Sequence, residues 1–379
     1  MMWFNILVLI FACIYVWIVA FIFRGWKALP NRKIVENNVA LKGVSLIIVA
    51  RNEARFLPNL LLDITHLEYP SELLEVIIID DDSEDDTKKI ADQFVKDFGQ
   101  GKVFSLHKQT KSAKKEGIML GVKHATFDQI ASTDADCRLP ATWLLAMQLT
   151  DEEDLLCGPV SYLPRNAMVS KAVELDLLSL TAMAGSTIQL RLPLLANGAN
   201  MVYRKSAFNQ LNGYDAKGGY DQASGDDIFL LKKIAEQPEY RIGYAKNRAA
   251  LVETQMSPNL KAFVQQRIRW ASKNKRTIGE PGSYLTFLLT LCYVFFAMSP
   301  IAAILFSSAG LWALVLVTWM MKFLVDYGLF SSVSKTFQKE HLMKYLWLAE
   351  LLHPYYIVFT AALSLILPYT WKDRTIING

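Results

Sequence analysis

Cysteine and histidine are scarce in this sequence, and neither is arranged as a metal-binding motif. The chain has four cysteines and five histidines among 379 residues, and no two cysteines have CxxC spacing. A disulfide framework and a zinc site are therefore not indicated. Two phosphate-binding signatures are also missing, because no GxGxxG follows the first predicted strand and no GxxxxGK[ST] occurs anywhere. A dinucleotide-binding Rossmann domain and a P-loop domain are poorly supported.

The balance of apolar and charged residues fits neither an ordinary soluble protein nor a chain made only of membrane helices. Hydrophobic residues make up 52% and charged residues 20%, and the mean hydropathy is +0.21. Four apolar segments can each cross a hydrocarbon layer of about 30 Å as a helix, at 3–23, 284–306, 311–330 and 345–368. We predict a transmembrane anchor at 1–23, a juxtamembrane linker at 24–41, a water-soluble domain at 42–280 and a membrane region at 281–379 with two to three helices.

The first apolar segment has no positive residues before it and no small-residue cleavage site, which favours an uncleaved anchor over a signal peptide. Four cations follow it, and by the positive-inside rule they predict an outer N-terminus and a cytoplasmic central domain: Arg24, Lys27, Arg32 and Lys33. The basic segment 335–344 agrees with this orientation, whereas Lys372 and Arg374 would lie outside.

The third apolar segment contains two charged residues, Lys322 and Asp326, four positions apart. They could pair inside a helix bundle, or they could mark an interfacial helix rather than a span. The formal net charge of +4 lies partly in the cations next to the membrane segments. It therefore indicates contact with a membrane surface, and no nucleic acid partner is expected.

The central domain reads as strands alternating with helices. The first two strands are continuous apolar runs, as expected for strands buried on both faces, and amphipathic stretches follow them. This alternation predicts an α/β fold with a mostly parallel sheet and right-handed crossovers. The predicted strands are 44–50, 74–80, 102–107 and 127–133.

Acidic residues follow two of these strands, where open parallel sheets bind their ligands. Asp134 and Asp136 follow the fourth strand in "STDADCRLP". They could form a solvated surface turn, or they could hold Mg²⁺ or Mn²⁺ together with the oxygens of a diphosphate. In "DDDSEDDT", Asp80 is the last residue of the second strand and Asp81 is the residue after it. Both could bind a base or a ribose. Ser83 or Asp82 could cap the next helix.

Two later motifs also combine a structural and a functional interpretation. In "SGDDIFLLKKI", Asp226 and Asp227 open a helix, where negative charge is favoured, but a buried carboxylate among others is also suited to act as a general base. In "QQRIRW", Gln266, Arg269 and Trp270 share one helical face. That helix could anchor at the membrane interface, or its guanidinium could bind a phosphate leaving group.

Together these motifs resemble the family 2 glycosyltransferases that carry membrane segments. That group includes cellulose, chitin and hyaluronan synthases, poly-N-acetylglucosamine synthases and ceramide glucosyltransferases. The family pattern is an Asp after the second strand, a DxD, an acidic-Asp-x-x-Leu motif and QxxRW. Here these are Asp81, "DAD", "DDIFL" and "QRIRW", and the resemblance spans 44–270. The sequence departs from the pattern at Asp82, where Gly is frequent, and at Asp226, where Glu is common.

The resemblance implies a GT-A domain, an inverting single displacement and a role for each matching residue. Glu53 and Asp81 would hold the nucleotide and Lys115 would approach its phosphates. Asp134 and Asp136 would contact the nucleotide and the metal, Mg²⁺ or Mn²⁺. Asp227 would be the catalytic base with Asp226 beside it. The diphosphate and the acceptor would be covered by Gln266, Arg269 and Trp270.

The expected donor is a nucleotide-diphosphate sugar, with a UDP-sugar favoured, and the expected acceptor is a lipid, a lipid-linked group or a glycan. The chain would be an integral protein of a bacterial plasma membrane with a cytoplasmic catalytic domain. A processive polysaccharide synthase and an inactive membrane scaffold are the alternatives. The segment 166–195 could be an interfacial helix that receives the acceptor or an ordinary core helix.

Overall fold

The structure is a computed structural model of the chain, and it describes residues 2–35, 41–106, 112–215, 225–272, 281–366, 369–371 and 374–376. They form two compact units. The sheet unit comprises Leu29–Leu163 and Met183–Met256. The helical unit comprises Met1–Ala28, Pro164–Ala182 and Ser257–Gly379.

The sheet unit contains a seven-stranded sheet of order β3-β2-β1-β4-β7-β5-β8. Within it β7 runs antiparallel to both of its neighbours and the other pairings are parallel. Two further pairs, β6 with β9 and β10 with β11, lie outside this sheet. The strands are β1 (Val44–Ala50), β2 (Leu74–Asp80), β3 (Gly101–Ser105), β4 (Gln129–Asp134), β5 (Leu155–Cys157), β6 (Val160–Tyr162), β7 (Met201–Arg204), β8 (Ile242–Tyr244), β9 (Val252–Thr254), β10 (Tyr369–Trp371) and β11 (Arg374–Ile376).

Twelve α-helices occur in the described part of the chain, together with short 3₁₀-helices at Ser71–Leu73, Arg248–Ala250 and Glu340–Tyr345. The α-helices are α1 (Met2–Ala28), α2 (Leu57–Thr65), α3 (Thr87–Phe98), α4 (Ala113–His124), α5 (Trp143–Ala146), α6 (Met168–Gln189), α7 (Lys205–Gln210), α8 (Asp226–Ala235), α9 (Leu260–Ser272), α10 (Pro281–Leu305), α11 (Ala309–Phe337) and α12 (Leu346–Ile366).

The predicted α/β fold with a mostly parallel sheet is confirmed. The apolar runs form the central strands, and every residue of β2 is buried, because a central strand of a parallel sheet is covered on both faces. The helix expected directly after β1 begins only at Leu57, with a proline at one of its first two positions, where a missing N–H is tolerated. The segment 51–56 is instead a loop that contributes to the site described below.

Helix α4 lies unusually close to the sheet. A Cβ atom at Gly117 would lie 2.8 Å from a methyl carbon of Val49, and one at Gly121 would lie 2.8 Å from a methyl carbon of Ile47. A larger residue at either position would push the helix away from β1. The first turn of α4 is therefore held close to the carboxyl end of the strands.

The helical unit contains four helices that are long and apolar enough to cross a membrane, at Met2–Ala28, Tyr284–Leu305, Ala309–Phe337 and Glu340–Ser364. In α1 the residues that pack inward recur at helical spacing, from Tyr15 through Ile18 and Ile22 to Trp26. Helix α6 is buried over most of its length, with Leu175 and Leu178 inaccessible to solvent. This favours the core-helix interpretation of the segment 166–195.

A buried polar cluster joins three of the four long helices. Lys322 of α11 donates to Asp326, one turn along the same helix, at 2.8 Å, and to Glu350 of α12. The Tyr15 hydroxyl of α1 donates to the Asp326 carboxylate at 2.8 Å. All four side chains are buried. Of the two interpretations of Lys322 and Asp326, the structure therefore has the pair inside the helix bundle.

We expect Lys322→Met to destabilise the protein strongly, because it leaves two buried carboxylates without their ammonium partner. Removal of one member of a buried ion pair costs about 3–5 kcal/mol. The melting temperature of the purified protein in detergent should fall accordingly. Lys335→Met is the matched control, since Lys335 is an exposed lysine near the end of the same helix. Equal melting temperatures for the two variants would contradict this account of the cluster.

Candidate active site

The carboxyl ends of three neighbouring strands meet at one edge of the sheet. The register pairs Ala50 of β1 with Asp80 of β2, and Val49 of β1 with Asp134 of β4. The Asp81 N–H then donates to the Ala50 carbonyl at 2.8 Å. The acidic segments after β2 and β4 therefore lie on either side of the end of β1, as the sequence predicted.

A buried arginine fixes the loop after β2. The Arg51 guanidinium, only 6% exposed, donates to the carbonyls of Asp81 and Asp82 at 2.7 and 2.9 Å. Asp82 has a φ of 54°, a left-handed conformation that favours glycine but that aspartate tolerates. Asp81 itself is buried. The Asp81 carboxylate is thus attached to a backbone with little freedom to move.

The loop that contains Glu53 is bonded to the start of α3. The Glu53 N–H donates to the Thr87 hydroxyl at 2.7 Å, and the Ala54 N–H donates to the Asp85 carboxylate at 3.0 Å. The prediction that Ser83 or Asp82 caps this helix is wrong. The helix begins only at Thr87, with Asp86 at the N-cap position and no side-chain cap bond. Asp85 accepts the Thr87 N–H at 3.0 Å, and the Ser83 hydroxyl accepts the Asn52 N–H of the neighbouring loop.

The turn that contains Asp134 and Asp136 is held by a clamp from α2. The Cys137 N–H donates to the Asp134 carbonyl at 3.1 Å, which closes the turn. The Asp63 carboxylate of α2 accepts two bonds from the Arg138 guanidinium, at 2.6 and 2.8 Å, and one from the Leu139 N–H at 3.0 Å. Asp134 and Asp136 are half-buried. The turn is therefore a fixed structure rather than a loose surface loop.

One lysine bridges the acid of the DxD turn and the acid at the start of α8. The Lys114 Nζ atom lies 2.7 Å from Asp134 Oδ1 and 3.0 Å from Asp226 Oδ2. Burial alone would lower the pKa of Lys114, but Asp134 and Asp226 outweigh burial and raise the pKa above its ordinary value. The ammonium therefore stays charged and offsets the repulsion between the two carboxylates.

Sequence reasoning chose Lys115 of the adjacent lysine pair for contact with phosphate. In the structure Lys115 is almost completely buried, and its Nζ lies 4.6 Å from the centre of the Phe229 ring of α8. The neighbouring Lys114 forms the ion pairs with Asp134 and Asp226, and the contact of Lys115 with phosphate stays a prediction. A signal for Lys114 existed, because this residue shares a helical face with Gly117 and Gly121, the residues that bring α4 close to the sheet.

Gly198 brings the loop before β7 against the same cluster. A Cβ atom at Gly198 would lie 2.6 Å from Asp226 Oδ2 and 3.1 Å from Lys114 Nζ. The Gly198 N–H lies 3.4 Å from Asp227 Oδ2, and the Ile228 N–H donates to Asp227 Oδ1 at 2.8 Å. Asp226 is buried, whereas Asp227 is half-buried. The two adjacent acids thus differ in partner and in access to solvent.

The QRIRW residues lie on α9 in the helical unit. Gln266 accepts a bond from the Ser257 hydroxyl at 3.2 Å. The Arg267 guanidinium lies 4.4 Å from the centre of the Trp270 ring. Gln266, Arg269 and Trp270 are half-buried, while Arg267 is buried.

The acid cluster suits a hard divalent cation that is also bound by its substrate. Asp134 and Asp136 supply carboxylate oxygens on one fixed turn, and the ammonium of Lys114 against Asp134 shows that positive charge is accommodated there. Among the described residues no three His, Cys, Asp or Glu side chains form a complete metal cage. Two protein carboxylates that leave coordination positions open are what Mg²⁺ or Mn²⁺ requires when a diphosphate and water complete the shell.

Two family models match the sequence: "Glycosyl transferase family 2" over residues 45–165 and "Glycosyl transferase family group 2" over residues 130–368. The second match covers more than half of the chain. The chain therefore belongs to the family 2 group of glycosyltransferases, which confirms the resemblance found in its motifs.

Curated relatives agree with this assignment. A "Probable glycosyltransferase YdaM" of Bacillus subtilis is 26% identical over 64% of this chain and 58% of its own length. A beta-monoglucosyldiacylglycerol synthase of Trichormus variabilis is 30% identical over 31% of this chain and 25% of its own length. A poly-beta-1,6-N-acetyl-D-glucosamine synthase of Staphylococcus epidermidis is 25% identical over 69% of this chain and 62% of its own length. The chain thus spans less than two thirds of each of these relatives.

A solved structure shows the same fold. The mannosyltransferase PcManGT from Pyrobaculum calidifontis, in complex with GDP-Man and Mn²⁺, has a TM-score of 0.57 and 16% sequence identity. The alignment covers 96% of this chain and 99% of that chain. The predicted GT-A fold is thereby confirmed.

We expect Lys114→Met to separate the binding of anions from the binding of cations at this site. Loss of the ammonium removes a charge-assisted bond worth about 1.5–3 kcal/mol, so the Kd for a nucleoside diphosphate without metal should rise about tenfold or more. The more negative site should bind Mn²⁺ more tightly when no nucleotide is present. Isothermal titration calorimetry measures both constants.

Lys123→Met is the control for this pair of measurements, since Lys123 is exposed in the last turn of the same helix. It should change neither constant. If Lys115→Met abolished nucleotide binding in a protein of normal melting temperature while Lys114→Met left binding intact, the phosphate contact would belong to Lys115 and not to Lys114.

Proposed function

We propose that the protein transfers a sugar from a nucleotide-diphosphate sugar to a hydroxyl of a membrane-associated acceptor, with inversion at the anomeric carbon. The observation that carries this proposal is the fixed acid cluster at the carboxyl edge of the sheet, in which Lys114 bridges Asp134 and Asp226. It combines carboxylates for a divalent cation with an ammonium for a diphosphate. Open α/β sheets bind their ligands at this edge.

The donor end of the reaction belongs, in this proposal, to the loops after β1, β2 and β4. Glu53 and Asp81 bind the nucleoside, and Arg51 holds the backbone of Asp81 and Asp82 in place for that purpose. Lys114 exchanges its contact with Asp134 for the phosphates of the donor. Asp134 and Asp136 would hold Mg²⁺ or Mn²⁺, which would supply positive charge to the departing nucleoside diphosphate. The favoured donor is a UDP-sugar.

Asp227 is the proposed base that deprotonates the acceptor hydroxyl. Its neighbour Asp226 is buried and paired with Lys114, which suits it to a supporting role. Asp227 is more accessible, and its carboxylate lies 3.4 Å from the Gly198 N–H and accepts the Ile228 N–H at 2.8 Å. A single base without a separate carboxylate nucleophile fits a direct displacement, in which positioning and charge stabilisation contribute most of the catalysis.

Gln266, Arg269 and Trp270 are the proposed residues for the diphosphate and the acceptor, on the strength of the QxxRW resemblance. An arginine suits a diphosphate because its planar guanidinium can donate two parallel bonds. The indole offers an apolar face with one polar edge. Such a face suits the boundary between a sugar and a lipid.

A lipid or lipid-linked acceptor is the favoured substrate class. Four helices can cross a membrane, and relatives named beta-monoglucosyldiacylglycerol synthase align over part of the chain. Such a protein would be integral to a bacterial plasma membrane, with its sheet unit in the cytoplasm. The alternative acceptor is a growing glycan, which the alignment with poly-beta-1,6-N-acetyl-D-glucosamine synthase supports.

The test is release of nucleoside diphosphate by the purified protein in detergent with Mn²⁺ and membrane lipid, across a panel of nucleotide sugars. Asp227→Asn should lower turnover by about 10²–10⁴, the usual contribution of a general base, while donor binding stays unchanged. Asp134→Ala and Asp136→Ala should abolish metal-dependent donor binding. Mass spectrometry of the lipid and glycan products identifies the acceptor.

Asp92→Asn serves as the control, since Asp92 is an exposed residue of α3 paired only with Lys88 among the ion pairs of the described residues. It should leave turnover at the wild-type rate. If no nucleotide sugar yields metal-dependent release, the transferase proposal fails and the scaffold alternative gains support. If Asp227→Asn keeps full turnover, the base is another residue.

A further inference from the structure

One carboxylate in the helical unit gathers partners from two other helices. The Oδ2 atom of Asp176, in α6, lies 2.5 Å from the Arg267 Nη2 atom of α9. The Oδ1 atom lies 3.3 Å from the His353 Nε2 atom of α12 and accepts a bond from the Tyr356 hydroxyl of the same helix. We call these four residues the Asp176 cluster. Asp176 and Arg267 are 7% and 6% exposed, so their charges depend on each other rather than on water.

The carboxylate is ionised in this surrounding. Burial alone would raise the pKa of Asp176, but Arg267, His353 and Tyr356 together lower it to about 2. The Arg267 guanidinium therefore always faces a full negative charge at neutral pH. A charge-assisted contact of this kind holds an arginine more firmly than a neutral one.

Arg267 also lies close to aromatic rings of its own helix. The centre of the Phe263 ring lies 4.8 Å from the guanidinium carbon, and the centre of the Trp270 ring lies 4.4 Å from it. These rings belong to residues four positions before and three positions after Arg267, which lie on the same side of a helix. The guanidinium that pairs with Asp176 thus also makes a cation–π contact with the Trp270 indole.

A simpler role for the cluster would be to join α6 to its neighbours. The same helix already has another buried ion pair that can do so, between Glu174 and Lys339 at 2.7 Å. Buried ion pairs also add little stability compared with apolar residues of the same shape. Orientation of the arginine explains the Asp176 cluster better than adhesion between helices does.

We propose that Asp176 is a positioning residue for the transfer reaction, acting through Arg267 to hold the Trp270 indole against the acceptor. This inference rests on the proposed function, because Trp270 belongs to the residues assigned to the acceptor. No motif of the sequence had selected Asp176 or Arg267. The inference adds both to the residues on which the rate of transfer to the acceptor depends.

The first test is spectroscopic and needs no acceptor. The protein labelled with 5-fluorotryptophan has nine tryptophan positions, and Trp270→Phe assigns the ¹⁹F signal of Trp270. Asp176→Asn should shift or broaden that signal. Tyr356→Phe removes one bond to Asp176 without changing its charge, so it should move the same signal by a smaller amount. This second variant keeps the test valid if Asp176→Asn does not fold.

The second test is a double-mutant cycle on the release of nucleoside diphosphate in vesicles of phosphatidylethanolamine and phosphatidylglycerol doped with diacylglycerol. Asp176→Asn and Trp270→Phe should each lower the rate, Asp176→Asn by roughly fivefold to tenfold, within the range of coupled neighbours. In the Trp270→Phe background, Asp176→Asn should lower it no further. The KM for the nucleotide sugar should stay at the wild-type value throughout.

Glu174→Gln is the matched control, since it disrupts a buried ion pair two residues away on the same helix. It should leave the Trp270 signal unchanged, and its effect on the rate should multiply with that of Trp270→Phe. An unmoved Trp270 signal in Asp176→Asn, or a multiplicative effect of Asp176→Asn and Trp270→Phe, overturns the inference alone. A wild-type protein that releases no nucleoside diphosphate from any donor overturns the proposed function, and the role of Asp176 in the reaction with it.

Discussion

Repulsion between carboxylates is the constraint that the arrangement of residues at the carboxyl edge of the sheet must satisfy. Parallel strands of matched register deliver acids from β2 and β4 to a single edge, and α8 contributes two more at its first turn. Like charges this close destabilise one another unless a cation lies among them. Lys114 supplies that cation, and α4 can place it there only because Gly117 and Gly121 allow the helix to approach β1.

Rigidity in the sheet unit comes from side chains that bind backbone. Arg51 holds the carbonyls after β2, and Asp63 holds the turn after β4 through Arg138 and the Leu139 N–H. Neither residue needs to touch a substrate for this purpose. A site assembled in advance does not spend binding energy on ordering its own loops, and charge stabilisation of a leaving group depends on such preorganisation.

The sequence was sufficient for the fold and for the position of the acids, because apolar runs and strand ends are local patterns. It was insufficient where a choice depended on packing. Lys114 and Lys115 are adjacent and chemically identical, and the pairing of Lys114 with Asp134 and Asp226 depends on the approach of α4 to the sheet. The helix cap was missed for a similar reason, since Asn52 and Ser83 belong to different loops that meet only in the folded chain. Asp176 has no motif at all, and its partners come from distant helices.

The cluster of Lys322, Asp326, Glu350 and Tyr15 has a consequence for biogenesis. A charged residue at the centre of a lone helix in a bilayer costs about 2.5–3.5 kcal/mol on insertion scales, and α11 contains two such residues. The two residues pair with each other, and their further partners are Glu350 of α12 and Tyr15 of α1, which lie far apart in the chain. In a bilayer, α11 would therefore be a poor independent insertion unit, and its buried charges would be fully partnered only after α1 and α12 had packed against it.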